Sequence, residues 1–180
     1  MEDAHLYLQD FNNVPGQGYF AIFDGHAGKF AAEWCRDNMN RILSEELNVC
    51  PHMDVREVMR NAFLKADEQL EAESRSAGVR SGCTAVISLI RLESDDSDQN
   101  KSRRRVLYTA NVGDARSVLW YVDTSVCRLQ LLTMNASRGG KAIRLTYDHK
   151  GSDEFESKRI TEKGGFLLNN RVNGACNLCV

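Results

Sequence analysis

The chain has 180 residues, of which 42% are hydrophobic and 27% are charged, and its formal net charge is −2 at pH 7. These values fit one globular domain. The small net charge gives no support for a general role on nucleic acid or on a membrane surface. No apolar run approaches the length of a transmembrane span, and the first residues lack the basic and then apolar pattern of a signal peptide.

The six cysteines are scattered along the chain and do not have the spacing of a disulfide framework. They are Cys35, Cys50, Cys83, Cys127, Cys176 and Cys179. Free thiols in a reducing compartment are therefore predicted. Cys176-x-x-Cys179 has the spacing of a metal or redox pair, but no second pair accompanies it.

The first predicted strand spans residues 19–23, which are apolar and rich in β-forming types, so the strand is predicted to be buried. It runs directly into Asp24, Gly25 and His26. Core packing does not explain why the strand ends in these three residues. Asp24 supplies an oxygen ligand, Gly25 lets another group approach the backbone closely, and His26 supplies a titratable imidazole. The pattern suggests a hydrolytic site for a hard metal ion.

Two helices are predicted next, over residues 29–47 and 55–74, because their apolar residues recur at helical spacing. Asp54 and Glu57 form a start like a capping box for the second helix. The second helix contributes seven predicted core residues without a chemical role: Val55, Val58, Met59, Ala62, Phe63, Ala66 and Leu70.

Strand composition returns at residues 84–92, and the charged run 93–105 is predicted to be the loop of a hairpin. Residues 106–111 and 115–120 are predicted as two strands joined by a tight turn at Gly113 and Asp114. Ser152 or Asp153 can cap a last helix that ends near residues 164–165. Strands, two helices and further strands indicate an α+β domain with a mainly antiparallel sheet.

Three groups of oxygen ligands lie at predicted strand ends or turns: Glu2 with Asp3, Asp24 with Gly25, and Asp114. A two-metal hydrolase needs carboxylates from separate segments that converge. Each group taken alone is also typical of an ordinary solvated terminus, turn or hairpin loop. The carboxylates by themselves therefore leave both interpretations open.

The order of six motifs goes further than the single groups. They are Met1-Glu-Asp-Ala-His5, Phe23-Asp-Gly-His-Ala-Gly28, Ser81-Gly-Cys-Thr-Ala85, Ala110-Asn-Val-Gly-Asp-Ala-Arg116, Leu145-Thr-Tyr-Asp-His-Lys150 and Arg171-Val-Asn-Gly174. In this succession the chain resembles the metal-dependent (type 2C, PPM-type) protein serine/threonine phosphatases, especially fungal members. The resemblance covers nearly the whole chain. It implies a partial α/β/β/α four-layer sandwich, in which two mainly antiparallel sheets are flanked by helices.

The resemblance also implies a binuclear Mg²⁺ or Mn²⁺ site with a weaker third ion. Asp24 would bridge two ions and Gly25 would offer its carbonyl oxygen to one. Glu2 and Asp3 would hold metal-bound waters, and Asp114 would lie near the third ion. A hydroxide that bridges the metals would attack the phosphorus of phosphoserine or phosphothreonine directly.

Two further roles follow from the resemblance. His26 would act as the general acid for the leaving seryl or threonyl oxygen, because an imidazole titrates near neutral pH. Thr84 would hydrogen-bond a metal-bound water. The implied partners are phosphoproteins of kinase signalling, with no nucleic acid or membrane, and the implied protein is a monomer in the cytoplasm, the nucleus or both.

The sequence departs from the family pattern in three places. No arginine that could bind the substrate phosphate precedes the Glu2-Asp3 motif, and residues 175–180 diverge where a strand and two further metal-binding aspartates are expected. Residues 121–137 interrupt two strands that should follow closely. We interpret 1–174 as a partial phosphatase domain, and we hypothesise that the insertion and the tail are translated intron sequence. An additional β-excursion is the alternative for 121–137.

These departures predict strongly reduced or absent activity for this chain, together with exposed sheet edges and apolar faces. The alternative to an enzyme is an inactive fragment or pseudophosphatase that acts only as a binding module. An unrelated α+β binding module is a third hypothesis, which six ordered motifs disfavour.

Overall fold

A computed structural model describes residues 1–94, 103–121, 140–168 and 171–172. Its strands are β1 (Ala4–Gln9), β2 (Gly18–His26), β3 (Gly82–Ser94), β4 (Arg103–Val112), β5 (Val118–Tyr121), β6 (Lys141–Arg144), β7 (Leu167–Leu168) and β8 (Arg171–Val172). Its helices are α1 (Phe30–Val49), α2 (Val55–Ala77) and α3 (Glu154–Glu162), and a short 3-10 turn spans Phe11–Asn13. The predicted α+β class is confirmed.

The main sheet has the strand order β1-β2-β3-β4, and every neighbouring pair is antiparallel. The pairing of β3 with β4 extends to Ser94 opposite Arg103. The predicted hairpin is therefore confirmed, although both strands are longer than expected; the residues of its tip, 95–102, lie outside the described part of the chain. The strands bring together segments that are far apart in sequence, including the start of the chain and the β2–β3 pair.

One face of this sheet carries the core. Helix α1 contacts β2 and β3, and α2 contacts β4. Tyr19, Ala21 and Phe23 of β2 are buried in the cluster beneath the helices. All seven predicted core residues of α2 are buried there too, which confirms its assigned face.

Strand β2 differs from the prediction in two respects. Its alternate residues Phe20 and Ile22 are 37% and 55% exposed, so the strand is buried on one face only. The strand also continues through Asp24 to His26, because β3 supplies pairing partners as far as Gly82. Asp24 therefore lies within a strand, directly opposite Thr84, and not in the turn that would follow the strand.

The predicted hairpin between residues 106–111 and 115–120 is wrong. Strand β5 pairs with β6 in a separate two-stranded sheet, with Val118 opposite Arg144 and Tyr121 opposite Lys141. The turn after β4 instead receives hydrogen bonds from the segment that follows β6. Except for Tyr121, the proposed insertion at 121–137 lies outside the described residues and stays a prediction.

Helix ends follow local side-chain chemistry. Asp54 caps α2 by accepting a hydrogen bond from the backbone N–H of Arg56 at 2.8 Å. Asp153 caps α3 by accepting one from Glu156 N–H at 3.0 Å, as predicted. None of the helices in the described ranges is long and apolar enough to cross a membrane.

Candidate metal centre

The start of the chain lies against the end of β2. A Cβ atom at Gly25 would be only 2.2 Å from the main-chain carbonyl oxygen of Glu2, so a glycine is needed for this close approach. The Glu2 carboxylate also accepts a hydrogen bond from the N–H of Gly28 at 3.2 Å. The pairing of β1 with β2 thus carries Glu2 and Asp3 to the strand that holds Asp24.

Three carboxylates act on one another at this end of the sheet. The pKa of Asp24 is raised, first by burial, then by the negative charges of Asp3 and Asp114 and by a hydrogen bond with Asp3. The charge of His26 acts in the opposite direction. The structure therefore brings together four of the predicted site residues. It leaves the repulsion between the carboxylates only partly compensated, which favours the binding of a cation.

Thr84 is a further predicted site residue that lies in this group. Its side chain faces the same side of the sheet as Asp24, because the two residues are opposite one another in β2 and β3. Its hydroxyl is buried and has no hydrogen-bond partner in the described part of the protein. A buried hydroxyl without a partner is costly. Beside a carboxylate, it is suited to a water held by a cation.

The turn that carries Asp114 is packed directly on Thr84. Gly113 has a φ of 78°, and a Cβ atom there would lie 2.8 Å from Thr84 Cγ2. The carbonyl of Gly113 accepts a hydrogen bond from His149 N–H at 2.8 Å. The Asn111 side-chain amide donates to the carbonyls of Gly113, Ala115 and Tyr147 at 3.3, 3.3 and 2.7 Å. These bonds fix the position of Asp114.

Asp148 is a second supporting residue that sequence reasoning missed. It is 8% exposed, and its carboxylate accepts hydrogen bonds from Arg116 Nε at 3.1 Å and Nη2 at 2.5 Å. Arg144 Nη2 lies 2.5 Å from Oδ1 of the same carboxylate, the oxygen that also accepts from Arg116 Nε. The hydrogen bonds from Arg116 lower the pKa of Asp148 to about 2. The only sequence signals for Asn111 and Asp148 were their places in the quoted motifs, which assign no contacts.

The donor set suits a hard divalent cation, because it consists of carboxylates, a backbone carbonyl and a hydroxyl. Within the described residues, however, no three acidic, histidine or cysteine side chains are close enough to form a complete metal cluster. The described cysteines Cys35, Cys50 and Cys83 form no disulfide among the described residues. The centre as described is therefore an incomplete ligand set of the right chemical type.

Comparison with known proteins identifies the family of this chain. The family model described as protein phosphatase 2C matches residues 1–179. The chain belongs to the protein phosphatase 2C family. Protein phosphatase 2C homolog 1 of Saccharomyces cerevisiae is 40% identical over 179 residues, which cover 97% of this chain and 57% of that protein. The Schizosaccharomyces pombe protein of the same name is 39% identical over 97% of this chain and 43% of its own length.

Solved structures agree on the fold. A serine-threonine phosphatase 2C from Toxoplasma gondii is 20% identical, with a TM-score of 0.63 over 94% of this chain and 53% of that one. A sex determining protein of C. elegans is 23% identical, with a TM-score of 0.67 over 98% of this chain and 39% of that one. The chain thus spans about half the length of the relatives that it matches.

Proposed function

We propose that this chain is part of a protein serine/threonine phosphatase that uses Mg²⁺ or Mn²⁺. Membership of the family supports the reaction class. The strongest support for the site is the convergence of carboxylates at Asp24, whose pKa is raised by partial desolvation and then by the negative charges of Asp3 and Asp114. Such a group gains stability by sharing a divalent cation.

The proposed cation-binding residues are Glu2, Asp3, Asp24, the Gly25 carbonyl and Asp114. Asp24 is the proposed bridging ligand, since it lies between the start of β1 and the turn after β4 and is affected by charges from both sides. The chemistry that the metal ions supply in such a site is the activation of a water and the neutralisation of phosphate charge. The orphaned Thr84 hydroxyl would orient that water.

His26 is the proposed proton donor. It is exposed at the end of β2, and its charge reaches Asp24. An imidazolium at this position can give its proton to the serine or threonine oxygen that leaves phosphorus. The wider roles, which rest on the family, are phosphoprotein substrates in kinase signalling, a monomeric state and a location in cytoplasm, nucleus or both.

The test is the release of phosphate from a phosphoserine peptide with Mn²⁺, using the wild-type chain, Asp24→Asn and the control Asp37→Asn. Asp37 is an exposed carboxylate on α1 paired with Arg36, so it matches the charge change outside the site. Because part of the expected ligand set is missing, we expect turnover that is weak but Mn²⁺-dependent, that Asp24→Asn abolishes and that Asp37→Asn leaves unchanged. Equal background rates in all three would contradict the proposal.

The second candidate function is a non-catalytic binding module. The incomplete ligand set in the described ranges favours it. The two functions differ in one measurement. Binding of Mn²⁺ that depends on Asp24, without any release of phosphate, would identify the module.

The chain organisation is also a proposal: 1–174 form a partial phosphatase domain, with foreign segments at about 121–137 and 175–180. The pairing of Trp120 with Ala142 supports a short connection between β5 and β6, because it places the strand before the first segment beside the strand after it. Sequencing of spliced transcripts is the test. Transcripts that encode both segments as written would refute their origin as intron sequence.

A further inference from the structure

The ammonium group of Lys150 lies between two carboxylates with different surroundings. Its Nζ is 3.8 Å from Oδ2 of Asp114 and also 3.8 Å from Oδ2 of Asp148. Both distances are those of ion pairs and exceed the range of a hydrogen bond. Neither carboxylate therefore holds Lys150 in a fixed position, and a small movement of the side chain favours one over the other.

Asp148 does not depend on Lys150 for its charge balance. Arg116 binds it through two nitrogens and Arg144 through a third. Lys150 is consequently a third cation around one buried carboxylate. The cations Arg116, Arg144 and Lys150 surround only two carboxylates, those of Asp114 and Asp148. One positive charge is therefore in excess beside Asp114.

Asp114 belongs to the carboxylates whose charges act on Asp24. The side chains of Asp114 and Lys150 are 49% and 50% exposed, so water can replace either partner at little cost in desolvation. A divalent cation that approaches Asp114 must compete with the ammonium. The ammonium can remain paired with a carboxylate when it leaves Asp114, because Asp148 is equally near.

We propose that Lys150 is a positioning residue that regulates cation binding at Asp114. It neutralises Asp114 while no cation is bound, and it withdraws to Asp148 when one binds. This inference rests on the proposed metal site. Its consequence is that cation affinity at Asp114 is lower than the carboxylates alone would give, and that this reduction disappears at high ionic strength.

The test is a titration with Mn²⁺ followed by electron paramagnetic resonance of the free ion. Lys150→Met removes the charge and keeps the length of the side chain, whereas Lys150→Arg retains the charge. The matched control is Lys158→Met, since the Lys158 ammonium pairs with Glu162 at 3.9 Å on the exposed face of α3. Binding is measured at low salt and at about 1 M KCl, where the Debye length is about 3 Å.

We expect Lys150→Met to bind Mn²⁺ about two- to fivefold more tightly at low salt, which is the range of exposed ion pairs. Lys150→Arg and Lys158→Met should match the wild type, and the difference should vanish at high salt. In an Asp114→Asn background, Lys150→Met should add nothing. A purely structural clamp would behave in the opposite way, because its loss would weaken binding and lower the melting temperature.

Unchanged or weaker binding in Lys150→Met overturns the inference while leaving the metal site intact. If the wild type binds no more Mn²⁺ than Asp24→Asn, the proposed metal site fails and the inference fails with it. Tighter binding in Lys150→Met without any phosphatase turnover would support the inference and contradict only the proposed catalysis.

Discussion

The two faces of the main sheet are built from the same strands but have opposite properties. On the face under the helices, Tyr19 and Phe23 are fully buried in the core. On the other face, Ile22 is half-exposed and Asp24 lies among carboxylates. Because successive side chains of a strand point to opposite faces, a single strand provides both stability and chemistry.

Packing and the proposed site therefore make separate demands on alternate residues of the same strand. The helix-covered face follows packing rules. The opposite face retains features that reduce stability, namely the raised pKa of Asp24 and the orphaned hydroxyl of Thr84. Features of this kind persist where function requires them.

Two adjacent substitutions in β2 test whether its two faces differ in packing. Phe23→Ala removes a buried ring and should lower the free energy of unfolding by about 3–5 kcal/mol. Ile22→Ala, at a half-exposed position, should lower it by less than about 1 kcal/mol. Urea unfolding followed by circular dichroism measures both values. Equal losses would show that the two faces are equally packed.

A second substitution tests the contact between the chain start and β2. Gly25→Ala adds a methyl group that would lie only 2.2 Å from the Glu2 carbonyl oxygen. We expect a loss of about 2 kcal/mol from this overpacking. We also expect weaker Mn²⁺ binding, because Glu2 and Asp3 must move. The measurements are thermal unfolding and Mn²⁺ titration; unchanged binding would refute the role of Gly25.

The pH dependence of stability tests the support beneath the site. Arg116 lowers the pKa of Asp148 from 3.8 to about 2, so the carboxylate stabilises the fold above pH 3.8 and loses this effect as the pH falls through about 2. Asp148→Asn should therefore lower the melting temperature at pH 7, and the difference from wild type should shrink on acidification below about pH 4.

Asp37→Asn, at an exposed position of α1, is the control for this pH series and should change the melting temperature less at pH 7. A deficit in Asp148→Asn that stays constant down to about pH 2 would mean that its ionised form is not the stabilising species.

The smallest effect is expected at Thr84. Thr84→Val keeps the shape and removes the orphaned hydroxyl, so the metal-free chain should become more stable by about 1 kcal/mol. Any Mn²⁺-dependent turnover should fall at the same time. Chemical denaturation and the phosphopeptide assay check the two parts. A loss of stability would show that the hydroxyl has a partner in the folded chain.

Local patterns predicted the helices well. The seven apolar positions of α2 and its Asp54 cap are as expected, because helical periodicity and capping depend on neighbouring residues. The convergence of Asp24 with Asp114 was implied by the resemblance to a family. Spacing alone favoured ordinary turns for each group taken singly.

Non-local pairing explains what the sequence did not predict. The turn at Gly113 resembles a hairpin turn, yet β5 pairs with β6, and the Gly113 carbonyl accepts a hydrogen bond from the N–H of His149. The roles of Asn111 and Asp148 depend on contacts across more than 30 residues of chain. Hydrophobic periodicity in the sequence does not indicate such long-range contacts.

Among the strands in the described part of the chain, β1 lies at the edge of the main sheet, with β2 as its one neighbour in the strand order. Edge strands open more readily than central ones, and opening of β1 would carry Glu2 and Asp3 away from Asp24. If the proposed site binds a cation, binding and closure of this edge would be linked equilibria, and the bound cation would make the open form less populated. Amide hydrogen exchange in β1 would thereby report occupancy of the site, while the amides of β3 would report only global unfolding.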